Sequence, residues 1–232
     1  MNIVAIIPLR SGSKGLKNKN VKKIGNLPLF AHTIMAAKKS KYINEVFVST
    51  DSEKYSILAK KYGANVPFLR PKKYSTDRST TESVLKHFAT YLFKNRNFNK
   101  KDIVVYLQAT ELFRPKNIID QCISKLIINQ KIDTAFAAQV THKNYWISGG
   151  SRFKRLNLLK HKQYLPRQSK KAIYREDTGV ACATRLKVLL SGNRIGRNVE
   201  IVEYDHLLSF IDIHSIEDFK LAKLVYKYLG VK

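Results

Sequence analysis

Short apolar runs alternate with segments of helical periodicity along most of the chain. Residues 4–8 form a continuous apolar run, which is typical of a strand buried on both faces. Residues 118–127 instead place apolar side chains three and four positions apart, as on the buried face of an amphipathic helix. Strands and helices in regular alternation predict parallel strands joined by crossover helices. The predicted fold class is therefore α/β, a three-layer Rossmann-like sandwich with a mainly parallel sheet.

The predicted elements cover most of the sequence. Strands are predicted at 4–8, 45–50, 102–108, 133–140, 180–184, 199–204 and 209–213. Helices are predicted at 28–39, 52–62, 79–94 and 118–127, and a C-terminal helix begins with a capping box at Ser215 and Asp218. The periodicity fades after Thr141 and resumes beyond Arg175. We therefore expect one domain over 1–232 with an excursion at 141–175.

The loop after the first strand carries the densest candidate chemistry, LRSGSKGLKNKN. In folds of this class ligands bind beyond the carboxyl ends of the strands, where this loop is expected to lie. Gly12 and Gly15 allow backbone N–H groups to converge on an anion, and Arg10, Lys14 and Lys19 can add charge-assisted contacts to phosphate oxygens. The spacing matches neither the Walker A loop nor the GxGxxG motif. A surface turn is the alternative, but the position after a buried strand favours a phosphate site.

The charge of the chain also indicates an anionic ligand. The sequence has 43 Lys and Arg against 17 Asp and Glu, a formal net charge of +26, and residues 1–44 and 134–175 contain no acid. A solvated lysine-rich surface is one alternative, and nucleic-acid binding is another. The basic residues are dispersed, and the sequence has no zinc, helix-turn-helix or RNA-recognition pattern. We therefore expect no nucleic-acid partner.

The apolar segments and cysteines bear on the compartment. No apolar run approaches the roughly 20 residues that cross a bilayer, and the first apolar run lacks a basic leader. Cys122 and Cys182 lie in apolar surroundings without metal-ligand spacing, which predicts buried free thiols. We expect a cytoplasmic protein with no membrane partner.

Four segments in order resemble the acylneuraminate cytidylyltransferases, also called CMP-sialic acid synthetases. They are IIPLRSGSKGLKNKNVKKIGNLPLFAHTI, VSTDSEKYSILAKKYGANVPFLRP, YLQATELFRP and FIDIHSIEDFKLAK, and they lie between residues 3 and 223. The resemblance implies a nucleotidyltransferase that joins CTP to a nine-carbon 2-keto sugar acid and releases pyrophosphate. It also implies a cytosolic homodimer in which 141–175 is a dimerisation or sugar-site insertion.

The resemblance assigns roles to residues of four loops. Arg10, Lys14 and Lys19 would grip the triphosphate within a loop completed by Ser11, Gly12, Ser13 and Gly15. Asn20, Arg70 and Thr81 would contact the nucleotide, and Gln108 and Arg167 would contact the sugar acid. Together with Arg10, Lys14 and Lys19, Asp212 is expected to be catalytic.

The last motif departs from the family at its metal site. The family supplies two aspartates from a D-x-D motif to Mg²⁺, whereas this chain reads Asp212-Ile213-His214. Magnesium prefers oxygen ligands, so we expect Asp212 to act with waters and phosphates. His214 is a candidate second ligand that would shift the preference toward Mn²⁺, or else a helix-entry residue.

The expected sugar site also departs from the family pattern. Ala109, Glu111 and Leu112 stand where the family usually has Pro, Ser and Pro, and Asp177 and Thr178 precede Gly179. These differences indicate an altered sugar site. An eight-carbon keto acid is the alternative substrate, and a protein that binds CTP without turnover is a further alternative.

Overall fold

The computed structural model describes residues 1–12, 15–156 and 166–229. In chain order the strands are β1 (Ile3–Leu9), β2 (Lys23–Ile24), β3 (Leu27–Pro28), β4 (Glu45–Thr50), β5 (Ile103–Tyr106), β6 (Thr134–Thr141), β7 (Trp146–Ser148), β8 (Phe153–Arg155), β9 (Ile173–Glu176), β10 (Cys182–Arg185) and β11 (Val199–Tyr204). The α-helices are α1 (Leu29–Lys38), α2 (Glu53–Lys61), α3 (Thr81–Asn95), α4 (Ile118–Ile128), α5 (Leu186–Leu190) and α6 (Ile216–Tyr228).

The main sheet is mainly parallel, as the alternation of elements predicts. Its order is β11-β6-β10-β5-β1-β4, and β9 also pairs with β6. The strands β4, β1, β5, β6 and β11 share one direction, while β9 and β10 run against it. The carboxyl ends of the parallel strands therefore meet at one edge of the sheet, which is where ligands of such folds bind.

A bulged segment interrupts the run from β9 to β10. Glu176 pairs with Ala138 and Cys182 pairs with Phe136, so five residues of this chain segment stand opposite one residue of β6. The extra residues lie beside the end of β5, where the Gln108 N–H donates to the Gly179 carbonyl. The bulge thus brings residues 177–181 next to the loop after β5.

Helices cover both faces of the sheet, which completes the predicted three layers. On one face α1, α2 and α4 pack against alternate residues of β1 and β5, such as Ile7 and Val105. On the other face α3 and α5 pack against the intervening residues, such as Ile6 and Val104. The C-terminal helix α6 forms a separate apolar cluster with Leu16, Ile24 and Leu29, which ties the first loop to the end of the chain.

The structure confirms the predicted elements except one. Residues 209–213 do not form a strand: Leu207–Phe210 is a 3₁₀ helix, and Asp212 makes a single isolated bridge with Glu111. The apolar pattern there was misleading because Ile211 and Ile213 pack into the apolar cluster beside α6 instead of alternating along a strand. The capping box at Ser215 and Asp218 is present, and both cysteines are buried free thiols. No helix in the described ranges is long and apolar enough to cross a membrane.

Candidate active site

The first loop leaves β1 at the carboxyl edge of the sheet. Arg10 follows the strand, and the chain then returns through the 3₁₀ helix Lys19–Val21. Asn20 is buried and its side-chain amide donates to the Arg10 carbonyl oxygen at 3.2 Å, so it fixes the start of the loop. Ser13 and Lys14, both expected phosphate contacts, lie outside the described residues.

Asp51 anchors the first loop from the end of β4. Its Oδ1 accepts from the Ser11 backbone N–H at 3.0 Å, and its Oδ2 accepts from the Ser11 hydroxyl at 2.8 Å. Two bonds from one carboxylate fix both the backbone and the side chain of Ser11. The start of the first loop is therefore tied to the end of β4.

Arg70, in the segment after α2, supports the start of the first loop through its side chain. Its guanidinium is buried, with Nε donating to the Ser75 hydroxyl and Nη2 donating to the Leu9 carbonyl. Nη2 also lies 3.9 Å from Asp51 Oδ1. Burial lowers the pKa of Arg70 below its ordinary value, and the charge of Asp51 offsets that effect only in part. The structure places Arg70, an expected nucleotide contact, against the Leu9 carbonyl at the start of the first loop.

The cationic loop touches the loop that carries Asp212. The Lys19 ammonium donates to the Ile213 carbonyl oxygen at 2.6 Å. Burial lowers the pKa of Lys19, and the negative charge of Asp212 partly offsets the shift. A Cβ on Gly15 would lie 2.5 Å from the His214 carbonyl oxygen, closer than a side chain can approach. Gly15 is therefore required for the two loops to lie against each other.

Asp212 is held between Glu111 and His214. It pairs with Glu111 in an antiparallel bridge, so the two side chains leave the same face of the bridge. Asp212 Oδ2 lies 2.7 Å from His214 Nε2. Asp212 Oδ1 is buried and has no hydrogen-bond partner among the described residues. Within those residues no group of three or more His, Cys, Asp and Glu is arranged to hold a metal ion.

Gln108 and the bulged segment form the neighbouring wall. A Cβ on Gly179 would lie 2.2 Å from Gln108 Oε1, so glycine is required for this side chain to occupy its position. Arg114 holds the two segments together: its Nη2 donates to the Gln108 and Gly179 carbonyls and its Nε donates to the Val180 carbonyl. The half-buried guanidinium of Arg114 thus joins the backbone carbonyls of the two segments.

Two expected site residues lie apart from these contacts. Thr81 is the first residue of α3, and its side chain hydrogen-bonds Tyr106 at the end of β5. Arg167 lies in the exposed 3₁₀ turn Arg167–Ser169 on the excursion. The described residues place Arg10, Lys19, Gln108 and Asp212 at one edge of the sheet, and no hydrogen bond or ion pair described there joins Arg167 to them.

Three charged residues near this edge were not identified from the sequence. Asp51 follows a predicted strand directly, so its position was available as a signal. Asp77 contacts Arg10 at 2.8 Å across a gap of 67 residues, and nothing in the sequence indicates that contact. Arg114 follows the apolar pair Leu112 and Phe113 in the loop after β5. A cation directly after apolar residues is a signal that its guanidinium is hydrogen-bonded within the fold.

The Glu111 carboxyl is shielded from water and lies near a second carboxylate, that of Asp212. Loss of hydration and the nearby negative charge of Asp212 raise the pKa of Glu111 to about 7 from its ordinary 4.5. The folded chain therefore holds this proton more tightly than the unfolded chain does. The resulting stability is fully present below about pH 4.5 and is lost as the pH rises through about 7.

Replacing Glu111 with glutamine is expected to remove this loss of folding stability at high pH. We expect E111Q to gain thermal stability relative to the wild type at about pH 8 by on the order of 2 kcal/mol, or roughly 4–8 °C, with the difference shrinking toward about pH 5. Thermal unfolding in metal-free buffer measures it, with the exposed Glu200→Gln as the matched control. A difference that does not change between the two pH values would contradict the assignment.

Comparison with known proteins gives a coherent set of relatives. A family model described as cytidylyltransferase matches residues 4–227. The N-acylneuraminate cytidylyltransferase of Escherichia coli O18:K1:H7 is 40% identical over 121 residues, which cover 52% of this chain and 27% of that protein. The pseudaminic acid cytidylyltransferase of Campylobacter jejuni serotype O:2 is 30% identical over 230 residues, which cover 98% of this chain and 97% of that protein.

A solved structure shares the fold at low sequence identity. The CMP:2-keto-3-deoxy-manno-octonic acid synthetase complexed with CTP superposes with a TM-score of 0.69 at 15% identity, covering 98% of this chain and 99% of that one. At this identity the likeness establishes the fold alone. The chain spans about a quarter of the E. coli relative and nearly the whole of the Campylobacter relative.

Proposed function

This chain belongs to the cytidylyltransferase family, in its acylneuraminate cytidylyltransferase-like group, and on that basis we propose that it joins CTP to a nine-carbon 2-keto sugar acid. The products would be the CMP-sugar and pyrophosphate. In this reaction the anomeric hydroxyl oxygen of the sugar forms a bond to the α-phosphorus of CTP. The bond from that phosphorus to the bridging oxygen breaks, and pyrophosphate leaves with the electron pair.

The contact between the first loop and the Asp212 loop carries this proposal. Lys19 bonds to the Ile213 carbonyl, and Gly15 lies against the His214 carbonyl, so the cations expected to bind phosphate lie beside the loop of the candidate metal carboxylate. A triphosphate is a ligand that can occupy both at once, since its oxygens bind cationic side chains and a divalent metal. A simple surface turn would not require either contact.

The residues would act mainly by positioning and by neutralising charge. Arg10 and Lys19, with Lys14 from the same loop, would bind the oxygens of the triphosphate and stabilise the charge that develops on the leaving pyrophosphate. Asp51 and Arg70 would hold the loop that carries these cations. Gln108 would orient the sugar acid so that its anomeric oxygen faces the α-phosphorus.

The donor set fits a magnesium site that phosphates complete. Asp212 offers a buried carboxylate oxygen with no protein partner among the described residues, which suits a hard cation. His214 Nε2 faces the other oxygen of the same carboxylate, so it would orient Asp212. Mg²⁺ held by Asp212 would supply charge neutralisation at the phosphates when bound, and Mn²⁺ is the alternative ion.

The relatives favour a nine-carbon substrate over an eight-carbon one. The two aligned relatives are named for N-acylneuraminate and pseudaminic acid, whereas the octonic acid synthetase is similar in fold alone. Glu111 and the bulge residue Asp177 would alter contacts to the sugar, so ordinary sialic acid is not assumed. The test is kcat/KM with CTP and a panel of eight- and nine-carbon 2-keto sugar acids. Preference for an eight-carbon acid would overturn the assignment of the substrate class.

We also propose a cytoplasmic homodimer that acts without nucleic acid. The excursion exposes Trp146, Ile147 and Phe153 on its hairpin, which is an unusual amount of apolar surface for a solvated loop. A second copy of the chain would cover it. Sedimentation equilibrium of the intact chain measures the assembly, and a monomer at micromolar concentration would contradict it. Retention of DNA that persists at about 150 mM salt would instead support the nucleic-acid alternative.

A further inference from the structure

Two carboxylates lie against a loop that is proposed to bind an anion. Asp51 contacts Ser11 at the end of β4, and Asp77 contacts Arg10 from the segment that precedes α3. Each would be expected on charge alone to repel a triphosphate. Their contacts with the loop differ in kind, and that difference assigns them separate roles.

Asp51 is built into the loop. Both of its oxygens accept hydrogen bonds from Ser11, at 3.0 Å from the backbone N–H and at 2.8 Å from the hydroxyl. Its side chain is only 20% exposed, and the buried Arg70 guanidinium lies 3.9 Å from it. Removing this carboxylate would leave a backbone N–H without its acceptor and Arg70 without its nearby countercharge.

Asp77 instead contacts the charged end of a cation. Its Oδ1 lies 2.8 Å from Arg10 Nη1, and both side chains are well exposed, at 48% and 38%. The segment around it holds its own shape through bonds of Ser79 with Thr76 and with the Lys73 carbonyl. The Asp77–Arg10 pair is therefore not needed to fold that segment. It occupies a guanidinium N–H that a phosphate oxygen can take.

We propose that Asp77 is a displaceable counter-ion of Arg10, which a triphosphate replaces on binding, whereas Asp51 is a permanent anchor of the same loop. The inference rests on the proposed function, since it assumes that Arg10 binds the triphosphate. Asp77 is then a residue that sets the affinity for the anionic substrate without touching the reacting atoms. In the free enzyme Asp77 neutralises the charge of Arg10. Because this ion pair must break when the triphosphate binds, it lowers the affinity for the triphosphate.

The two acids therefore have opposite expected effects on binding. Asp77→Ala is expected to lower the Kd for CTP by about two- to fivefold, the range of an exposed ion pair. Asp51→Ala is expected to raise the Kd by about tenfold, because the loop loses its anchor. Both changes remove one negative charge beside the loop, so a general field effect would lower both Kd values.

Titration calorimetry of the intact chain with CTP and Mg²⁺, without sugar, measures these constants, and inorganic triphosphate serves as a second probe. Glu200→Ala removes an exposed acid that pairs with Lys125 and controls for net charge. Ser11→Ala deletes one of the two bonds to Asp51 and is also expected to weaken CTP binding. It replaces Asp51→Ala as the test of the anchor if that variant does not fold. In an Arg10→Gln background the effect of Asp77→Ala should be smaller than in the wild type, which a purely structural role for Asp77 would not produce.

The outcomes separate this inference from the proposed function. If the wild type binds neither CTP nor inorganic triphosphate, the proposed function fails and the inference fails with it. If CTP binds and Asp77→Ala leaves the Kd unchanged or raises it, only the inference is overturned. The inference is likewise overturned if Asp51→Ala or Ser11→Ala tightens binding, or if the effect of Asp77→Ala is undiminished without Arg10.

Discussion

Replacement of Asp212 by asparagine is expected to lower kcat by about a hundred- to a thousandfold, with CTP still bound. The exchange keeps the shape of the side chain and removes its charge. Asp212 Oδ1 is the buried carboxylate oxygen next to the cationic loop, and it has no protein partner in the part of the chain that the structure describes. Loss of that charge would weaken the stabilisation of the triphosphate as the leaving group forms.

Steady-state kinetics with CTP and the preferred sugar acid measure this effect. Asp205→Asn, a nearby exposed aspartate, is the matched control and should retain activity. Thermal unfolding separates a loss of chemistry from a loss of structure. If Asp212→Asn kept kcat within threefold, roughly the scatter of a surface substitution, Asp212 would have no role in the reaction.

Lys19→Met is expected to reduce kcat/KM by roughly a hundredfold. Methionine keeps much of the apolar stem but removes the ammonium that bonds to the Ile213 carbonyl oxygen at 2.6 Å. The change would therefore remove a phosphate-binding charge and also release the Asp212 loop from the first loop. We expect KM for CTP to rise and kcat to fall together.

Lys17→Met provides the comparison within the same loop. Lys17 is exposed, and its removal changes the net charge by the same amount. A similar loss in both variants would indicate a general effect of positive charge on an anionic substrate. A large loss at Lys19 alone would indicate a specific contact.

The buried elements could be predicted from the sequence because burial imposes a pattern. The four buried residues of β5 and the apolar face of α4 gave clear signals. The hairpin of β7 and β8 gave none, since the three residues of β7 are all exposed and no alternation is enforced. The bulge at 177–181 was also missed, because it arises only from the pairing of both β9 and β10 with the same strand, β6.

The candidate site was predictable where position along the chain sufficed. Arg10 and Lys19 follow a buried strand, and the rule for strand ends located them. Contacts between distant segments were not predictable: Asp77 meets Arg10, and Glu111 bridges Asp212 across about a hundred residues. These pairs depend on the tertiary fold, and a single sequence contains no periodic signal for them.

The most direct test of the proposed function is to observe the products. Phosphorus NMR of the intact chain with CTP, Mg²⁺ and a nine-carbon 2-keto sugar acid would follow the α-phosphorus through the reaction. The proposal predicts a phosphodiester signal of a CMP-sugar and pyrophosphate in equal amounts. Release of phosphate without the phosphodiester, or no change while CTP is bound and every acid of the panel is present, would contradict it.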